Sequence, residues 1–284
     1  MIGQQHLMFM IEEQIRLNKF PRFSIIVGPE GSGKRLVAEK IGSLLNATKV
    51  PTGTMVNNIR EMIDMAYQTV SPLVFIIADA DAMSVGAKNA LLKVTEEPPH
   101  NAYFILLLTD TNNTLPTIRS RGAIYFMDNY TTEEIIKYYR DKTGTVGTDE
   151  EKIVADICCT PGDVETLLTL DIQAFNAFVK QVLNYIATAS LANALKISTN
   201  IQLKEGSEAK YPLTLFWRAF ENECLLETRR LMEEDKSTLH LLNAIKVTSQ
   251  FMQELRVLGI NKQSLFDAWV IEVRKALSDG YSNP

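Results

Sequence analysis

Phe23-Ser24-Ile25-Ile26-Val27-Gly28-Pro29-Glu30-Gly31-Ser32-Gly33-Lys34-Arg35 is the stretch whose reading decides the fold. Its first five residues predict a short β-strand that stops at Gly28. Beyond the glycines, Leu36, Val37, Ile41, Leu44 and Leu45 fall mostly on one face of a helix. Strand, glycine loop and helix in that order open an α/β fold. The loop itself matches GxxxxGK, with an extra glycine at position 31. Glycines let backbone N–H groups turn toward a phosphate, the helix start adds its positive end, and Lys34 reaches the β and γ oxygens. Gly28, Pro29, Glu30, Gly31, Ser32, Gly33, Lys34 and Arg35 therefore form a candidate binding loop for ATP or ADP. The last position breaks the pattern, because a Ser or Thr there normally gives a hydroxyl to Mg²⁺. Arg35 is a cation and cannot ligate one, so Mg²⁺ binding is disfavoured whether the guanidinium stays near the site or points outward.

Outward from the loop, the alternation continues. Ile59, Met62, Ile63, Ala66 and Tyr67 recur at helical spacing, and Leu73-Val74-Phe75-Ile76-Ile77 is an unbroken apolar run between Pro72 and Asp79. Such a run suits a parallel strand buried on both faces. A helix is expected from Val85 to Thr95, then a strand over Tyr103–Leu108, and a last short strand at Ile124-Tyr125-Phe126. The sum is a doubly wound parallel sheet flanked by helices.

Past residue 126 the pattern changes. Thr131-Thr132-Glu133-Glu134, Asp149-Glu150-Glu151 and Thr160-Pro161-Gly162-Asp163 each read as a helix start, with a capping side chain or acids in the first turn. From about Gln173 onward everything reads as helical, with one stripe at Phe175, Phe178, Val179, Val182, Leu183 and Ile186 and another at Leu215, Phe216, Ala219, Phe220 and Glu223. Leu239 to Leu258 and Ser264 to Leu277 are further amphipathic segments, Leu203–Pro212 is expected to be a mobile loop, and Asp279–Pro284 to fray. The expected division is 1–127 for the α/β core, 128–171 for a small three-helix lid and 172–284 for an all-α domain.

The 284 residues carry a net charge of −5, with 46% apolar and 22% charged side chains. That is ordinary for a soluble globular protein, and any DNA contact must come from a local patch or from a partner. No apolar run approaches membrane-spanning length, and the first residues lack the basic stretch of a signal peptide, so the expected location is cytoplasmic with no membrane partner. The three cysteines, Cys158, Cys159 and Cys224, form no CxxC pair and read as buried thiols rather than zinc ligands. His6, His100 and His240 are scattered, with no partner at ligand spacing, so no metal site is expected. Trp217 and Trp269 sit on helical stripes and read as packing residues rather than base-stacking platforms.

Four further stretches carry a family resemblance. Val74-Phe75-Ile76-Ile77-Ala78-Asp79-Ala80-Asp81-Ala82-Met83-Ser84, followed by Asn89-Ala90-Leu91-Leu92-Lys93-Val94-Thr95-Glu96-Glu97-Pro98-Pro99, resembles the bacterial DNA polymerase III clamp-loader ATPases of the AAA+ class. Leu115-Pro116-Thr117-Ile118-Arg119-Ser120-Arg121 is similar to a later segment of that family, with Gly122 where a cysteine is usual, and Ile2-Gly3-Gln4 is similar to its opening. The resemblance is specific over roughly residues 1–126, architectural through the lid and weak beyond it. It implies an AAA+ P-loop core, a lid and a C-terminal domain that joins neighbouring subunits into a hetero-oligomeric ring. The ring's other partners would be a sliding clamp and primer–template DNA, in a bacterial or phage-infected cell.

The resemblance also implies roles for single positions. Aligned on Asn89, the Asp-Glu pair that holds metal and polarises water falls on Ala78 and Asp79. The γ-phosphate-sensing arginine of the lid falls on Glu165. With Arg35, three catalytic positions have the wrong chemistry, which argues against useful intrinsic ATPase activity because positioning and charge neutralisation supply nearly all of phosphoryl-transfer catalysis. This pattern resembles the delta-prime class of subunit. The zinc module that many members insert is missing from Leu45–Val56, which is short and has no cysteine. Arg121 would act in trans as an arginine finger on a neighbour's ATP, with Arg119 on the same side if the segment is extended. Thr109 and Asp110 read as turn formers, and Lys88 and Lys93 as either a DNA-facing pair or a solvated helix face. Two other readings stay open. One is an active motor subunit in which Asp79 or Asp81 replaces the lost carboxylate. The other is an independent P-loop enzyme such as a nucleotide kinase, which the sparse lid cations Lys137 and Arg140 support little.

Overall fold

The computed structural model describes residues 2–203, 210–255 and 259–278. The chain divides into two compact units, one of residues 1–134 with 160–162, the other of residues 135–159 with 163–284.

The first unit begins with α1 (Gln5–Arg16), which enters from Gln4 in the left-handed conformation (φ 61°). There follow β1 (Phe23–Val27), α2 (Lys34–Leu44), β2 (Thr48–Thr52), α3 (Val56–Gln68), β3 (Leu73–Ile77), α4 (Val85–Glu96), β4 (Ala102–Leu108), the one-turn α5 (Pro116–Arg119) and β5 (Ala123–Phe126). All five strands run parallel in the order β2-β3-β4-β1-β5. The register pairs Ile25 of β1 with Leu106 of β4 and with Ile124 of β5, so the central strands are covered on both faces. This is why they read as unbroken apolar runs. One face packs on Ile59, Met62, Leu91 and Val94 from α3 and α4, the other on Leu7, Ile11, Val37 and Ile41 from α1 and α2. The expected doubly wound α/β sheet is thus present.

One element, the edge strand β2, carries a weak sequence signal. β2 holds Pro51 and alternates exposed with half-buried positions, and it survives because it is an edge strand paired only with β3. Residues 45–47 alone join it to α2. On α2 the expected face is corrected: Val37, Ala38, Ile41 and Gly42 are buried, while Leu36 and Leu44 are exposed. Similarly, Tyr67 lies off the buried face of α3 and donates from its hydroxyl to the Glu97 carbonyl at 3.2 Å.

In the second unit, α6 (Thr132–Thr143, begun in the first), α7 (Asp149–Ile157) and α8 (Pro161–Leu168, its first two residues in the first) precede α9 (Ile172–Thr188), α10 (Leu191–Leu195), α11 (Leu213–Glu233), α12 (Leu239–Glu254) and α13 (Lys262–Ser278). α7 is tied to α6 by Arg140, whose guanidinium grips Glu151 through two bonds of 2.6 and 3.0 Å. α8 is tied to α11 by Asp163, which accepts from Arg218 at 2.6 Å. Trp217, Trp269, Phe216, Phe220 and Phe266 are all fully buried, with rings in tilted or edge-on contact.

The all-helical expectation for this region needs one correction. Ile201–Gln202 (β6) pairs in parallel with Tyr211–Pro212 (β7). Leu203 and Tyr211, at the rims of the expected mobile loop, are buried, and residues 204–209 lie outside the described ones. The same holds for residues 256–258 and for the tail expected to fray, 279–284. Among the described residues no helix is long and apolar enough to cross a membrane.

Candidate nucleotide-binding site

β1 delivers Gly28 to the carboxyl edge of the sheet, where its N–H donates to the Leu108 carbonyl at 3.1 Å. Carboxyl edges of parallel strands are where α/β folds bind ligands. The loop then turns through Gly31 (φ 74°) and Gly33 (φ 84°), conformations that favour glycine, and Gly33 opens α2. Ser32 is buried and its hydroxyl donates to the Pro29 carbonyl at 2.7 Å, which closes the loop on itself. Lys34 folds back, its ammonium donating to the carbonyls of Gly28 (2.7 Å) and Pro29 (2.8 Å). Burial holds the Lys34 ammonium below the ordinary lysine range, and the charges of Asp81, Glu30 and Asp79 oppose that shift.

Two segments lie against the loop. Tyr130 donates from its hydroxyl to the Ser32 carbonyl at 2.8 Å. Gly162 donates its N–H to the Gly31 carbonyl at 3.0 Å, and a Cβ at Gly162 would stand 2.4 Å from the Gly31 Cα. Only glycine permits that approach of two backbones. The sequence reading placed Gly162 in a helix start but did not connect it to the loop, and nothing local in the sequence encodes such a contact. Gln4, which that reading noted only within the opening motif, is buried and exchanges amide hydrogen bonds of 2.8 Å with the Asp128 backbone, ahead of Tyr130.

The positions read as catalytic fall as follows. Ala78 and the exposed Asp79 follow β3, and the Asp79 backbone opens the short turn 80–82. Asp81 is tied to the end of β4: it accepts from the Thr109 N–H (2.9 Å), the Thr109 hydroxyl (3.0 Å) and the Asn113 amide (2.7 Å). Thr109 is therefore a clamp between two strand ends rather than a turn former. Asp110 does form a turn, accepting from the Asn112 N–H at 2.7 Å. Arg35 is exposed and pairs with Glu39 one helical turn on, at 3.1 Å. Glu165 binds Lys142 at 2.7 Å and accepts from the Tyr138 hydroxyl, and the Lys142 bond, then Tyr138, holds its carboxyl below the usual range.

Arg121 stands just ahead of β5, part-exposed, its guanidinium 3.0 Å from Glu96 and 3.0 Å from the Thr117 carbonyl. Residues 116–119 form a helical turn, so the extended alignment expected for Arg119 is corrected: Pro116 starts a turn, and Arg119 donates instead to Asn112 at 3.2 Å. Lys88 donates to the Asn113 carbonyl, and Lys93 lies over the Tyr67 ring at 5.0 Å. Among the cysteines, Cys158 and Cys224 are buried as expected but Cys159 is exposed, since adjacent residues at the end of α7 face opposite ways.

A five-stranded parallel sheet in this order, with a glycine loop and helix after β1, defines a P-loop protein of the AAA+ type. The solved RuvB branch-migration motor of Thermotoga maritima shares that fold at 17% identity and a TM-score of 0.50, over 80% of this chain and 88% of that one. Residues 53–130 match the family model described as DNA polymerase III, delta subunit. The DNA polymerase III subunit gamma of Buchnera aphidicola (subsp. Schizaphis graminum) is 27% identical over 86% of this chain and 70% of its own length. Subunit tau of Bacillus subtilis is 26% identical over 48% of this chain, which spans only 30% of that relative. These matches bear out the resemblance to the AAA+ clamp-loader family of bacterial DNA polymerase III.

Proposed function

We propose that this chain is an assembly subunit of a clamp loader for DNA replication, of delta-prime-like character, with a degenerate ATPase site of its own. The observation that carries this is the chemistry at three positions. Arg35 stands where a metal-binding hydroxyl is needed, Ala78 where a carboxylate is needed, and Glu165, where an arginine is needed, is an anion paired with Lys142. The loop remains equipped to hold ATP or ADP through Lys34 and its glycines. On this reading residues 1–127 are the nucleotide core, 128–171 the lid and 172–284 the collar. The collar meets other clamp-loader subunits in a cytoplasmic ring that acts on a sliding clamp and primer–template DNA. On this reading the zinc module of many relatives is missing from Leu45–Val56, which has no cysteine. Arg140 is held by Glu151, so the sparse lid cations still give the nucleotide-kinase alternative little support.

In this reading Arg121 is the residue that acts on a neighbour's ATP. Its pairing with Glu96 has side chains 38% and 56% exposed. Pairs of that kind contribute little and break readily. An arginine finger contributes ~10³–10⁵ in rate in P-loop enzymes. The expected outcome is that Arg121→Ala lowers the clamp-stimulated ATPase of a reconstituted complex by at least ~10²-fold while the complex still assembles. Unchanged ATPase in that complex rejects the role. Turnover by the purified chain alone, lost in Lys34→Ala, would instead make it a motor subunit.

A further inference from the structure

Arg35 and Ala78, two of the altered catalytic positions, line one cavity. It lies between α2 and the carboxyl ends of β2 and β3, has a volume of about 470 Å³, and is also walled by Glu39, Lys49 and Thr52. Mg²⁺ requires oxygen ligands in near-octahedral array, with one or two carboxylates and a phosphate oxygen. This wall presents two cations, one carboxylate, the Thr52 hydroxyl, which donates to the Val50 carbonyl, and, at 78, a methyl group. The Glu39 carboxylate stands 3.1 Å from the Arg35 guanidinium, so a cation drawn to it meets a like charge. Of the two aspartates that follow Ala78, Asp81 gives its carboxylate to Thr109 and Asn113, and the exposed Asp79 is not among the residues that wall the cavity. The donor set does not fit Mg²⁺.

It does fit an anion. Arg35 follows Lys34 directly in the first turn of α2, and its bond to Glu39 is an exposed i,i+4 pair, 62% and 41% accessible, of the weak kind. Lys49 reaches toward α2 from β2, donating to the Ser43 hydroxyl at 3.2 Å. A guanidinium presents a planar fork suited to phosphate oxygens and an ammonium a movable point charge. We propose that this site binds the polyphosphate of a nucleoside di- or triphosphate without a divalent cation, with Arg35 and Lys49 supplying the two positive charges that Mg²⁺ would bring. This rests on the nucleotide-binding reading of the loop. Magnesium-bound ATP is then the poorer ligand, because its cation meets two more.

The test is equilibrium binding of ATP to the purified full chain, by titration calorimetry, in Mg²⁺ and in EDTA. Binding in EDTA as tight as in Mg²⁺ or tighter is expected. Arg35→Ser and Lys49→Ser should each weaken the EDTA binding by about tenfold, the usual scale of one charge-assisted contact. The double variant Arg35→Ser with Ala78→Asp should reverse the preference and bind more tightly in Mg²⁺. Arg35→Ser alone alters only an exposed side chain, so its binding remains interpretable if the double variant misfolds. Wild-type binding that Mg²⁺ tightens by about tenfold overturns the proposal, as does absence of binding under both conditions. Neither outcome touches the role of Arg121, which is read from the ATPase of the complex. Loss of that role would leave the metal dependence measured here unchanged.

Discussion

Lys34 makes both of its hydrogen bonds to its own loop, to the Gly28 and Pro29 carbonyls. An incoming phosphate must replace carbonyl oxygens already paired with the ammonium, so the net gain from each new bond is modest. Single side chains elsewhere are similarly committed, and one has a measurable pH signature. Tyr125 on β5 is buried and donates to the Gln14 side chain, and burial pushes its phenol up from 10 to about 12. Below pH 10 the phenol is protonated whether the chain is folded or not. Between pH 10 and about 12 the unfolded chain ionises it while the folded one does not, so stability falls as pH rises through that window. Urea midpoints followed across it should fall more steeply for the wild type than for Tyr125→Phe. Parallel declines would exclude Tyr125 as a contributor.

Helices α4, α7 and α9 each begin on a side-chain cap. The Ser84 hydroxyl accepts from the Ala87 N–H at 3.2 Å, the Thr148 hydroxyl from Glu151 at 3.1 Å, and the Asp171 carboxylate from Ala174 at 2.9 Å. The Thr131–Glu134 pair ahead of α6 is reciprocal, each residue's side chain bonding the other's N–H. α9 then buries Ile172, Phe175, Val179, Val182, Leu183 and Ile186, so fraying its first turn disturbs a packed stripe. Asp171→Ala should cost ~1 kcal/mol, read as a lower urea midpoint with unchanged slope. An unchanged midpoint would mean that packing alone holds the start of α9. Ser84 matters for a second reason, because α4 carries Lys88 and Lys93, whose ties to Asn113 and Tyr67 join it to the end of β4 and to α3.

At the scale of the molecule, the second unit exposes apolar side chains along two of its helices. Leu225, Leu226 and Met232 of α11 and Leu239 and Leu242 of α12 are accessible, Leu239 at 64%. Exposed apolar groups on neighbouring helices are the kind of surface that subunit contacts cover. If the collar assigned under the proposed function joins neighbouring subunits, the double variant Leu239→Glu, Leu242→Glu should reduce incorporation into a reconstituted complex. The melting temperature of the isolated chain should stay near the wild-type value, since neither side chain is in a core. Full incorporation of the double variant would place the subunit contact on another face.

The strands β1, β3 and β4, the glycine loop and the three helices α6, α7 and α8 were legible in the order of the residues. Each depends on local chemistry: apolar runs bounded by turn residues, glycines before a lysine, and caps followed by acids. Arg35 was legible as a departure from the loop pattern itself, whereas Ala78 was marked only by the family resemblance, through alignment on Asn89. Other features belong to the tertiary structure alone. The contact of Gly162 with Gly31 joins residues more than a hundred positions apart, and neither neighbourhood encodes the other. β2 became a strand only because β3 offered it an edge, and residues 201–202 and 211–212 paired only where packing brought them together. Arg119 turned away from Arg121 because Pro116 starts a helical turn. That Arg35, Lys49 and Ala78 share one cavity was decided by sheet order, which sets β2 and β3 beside one another under α2.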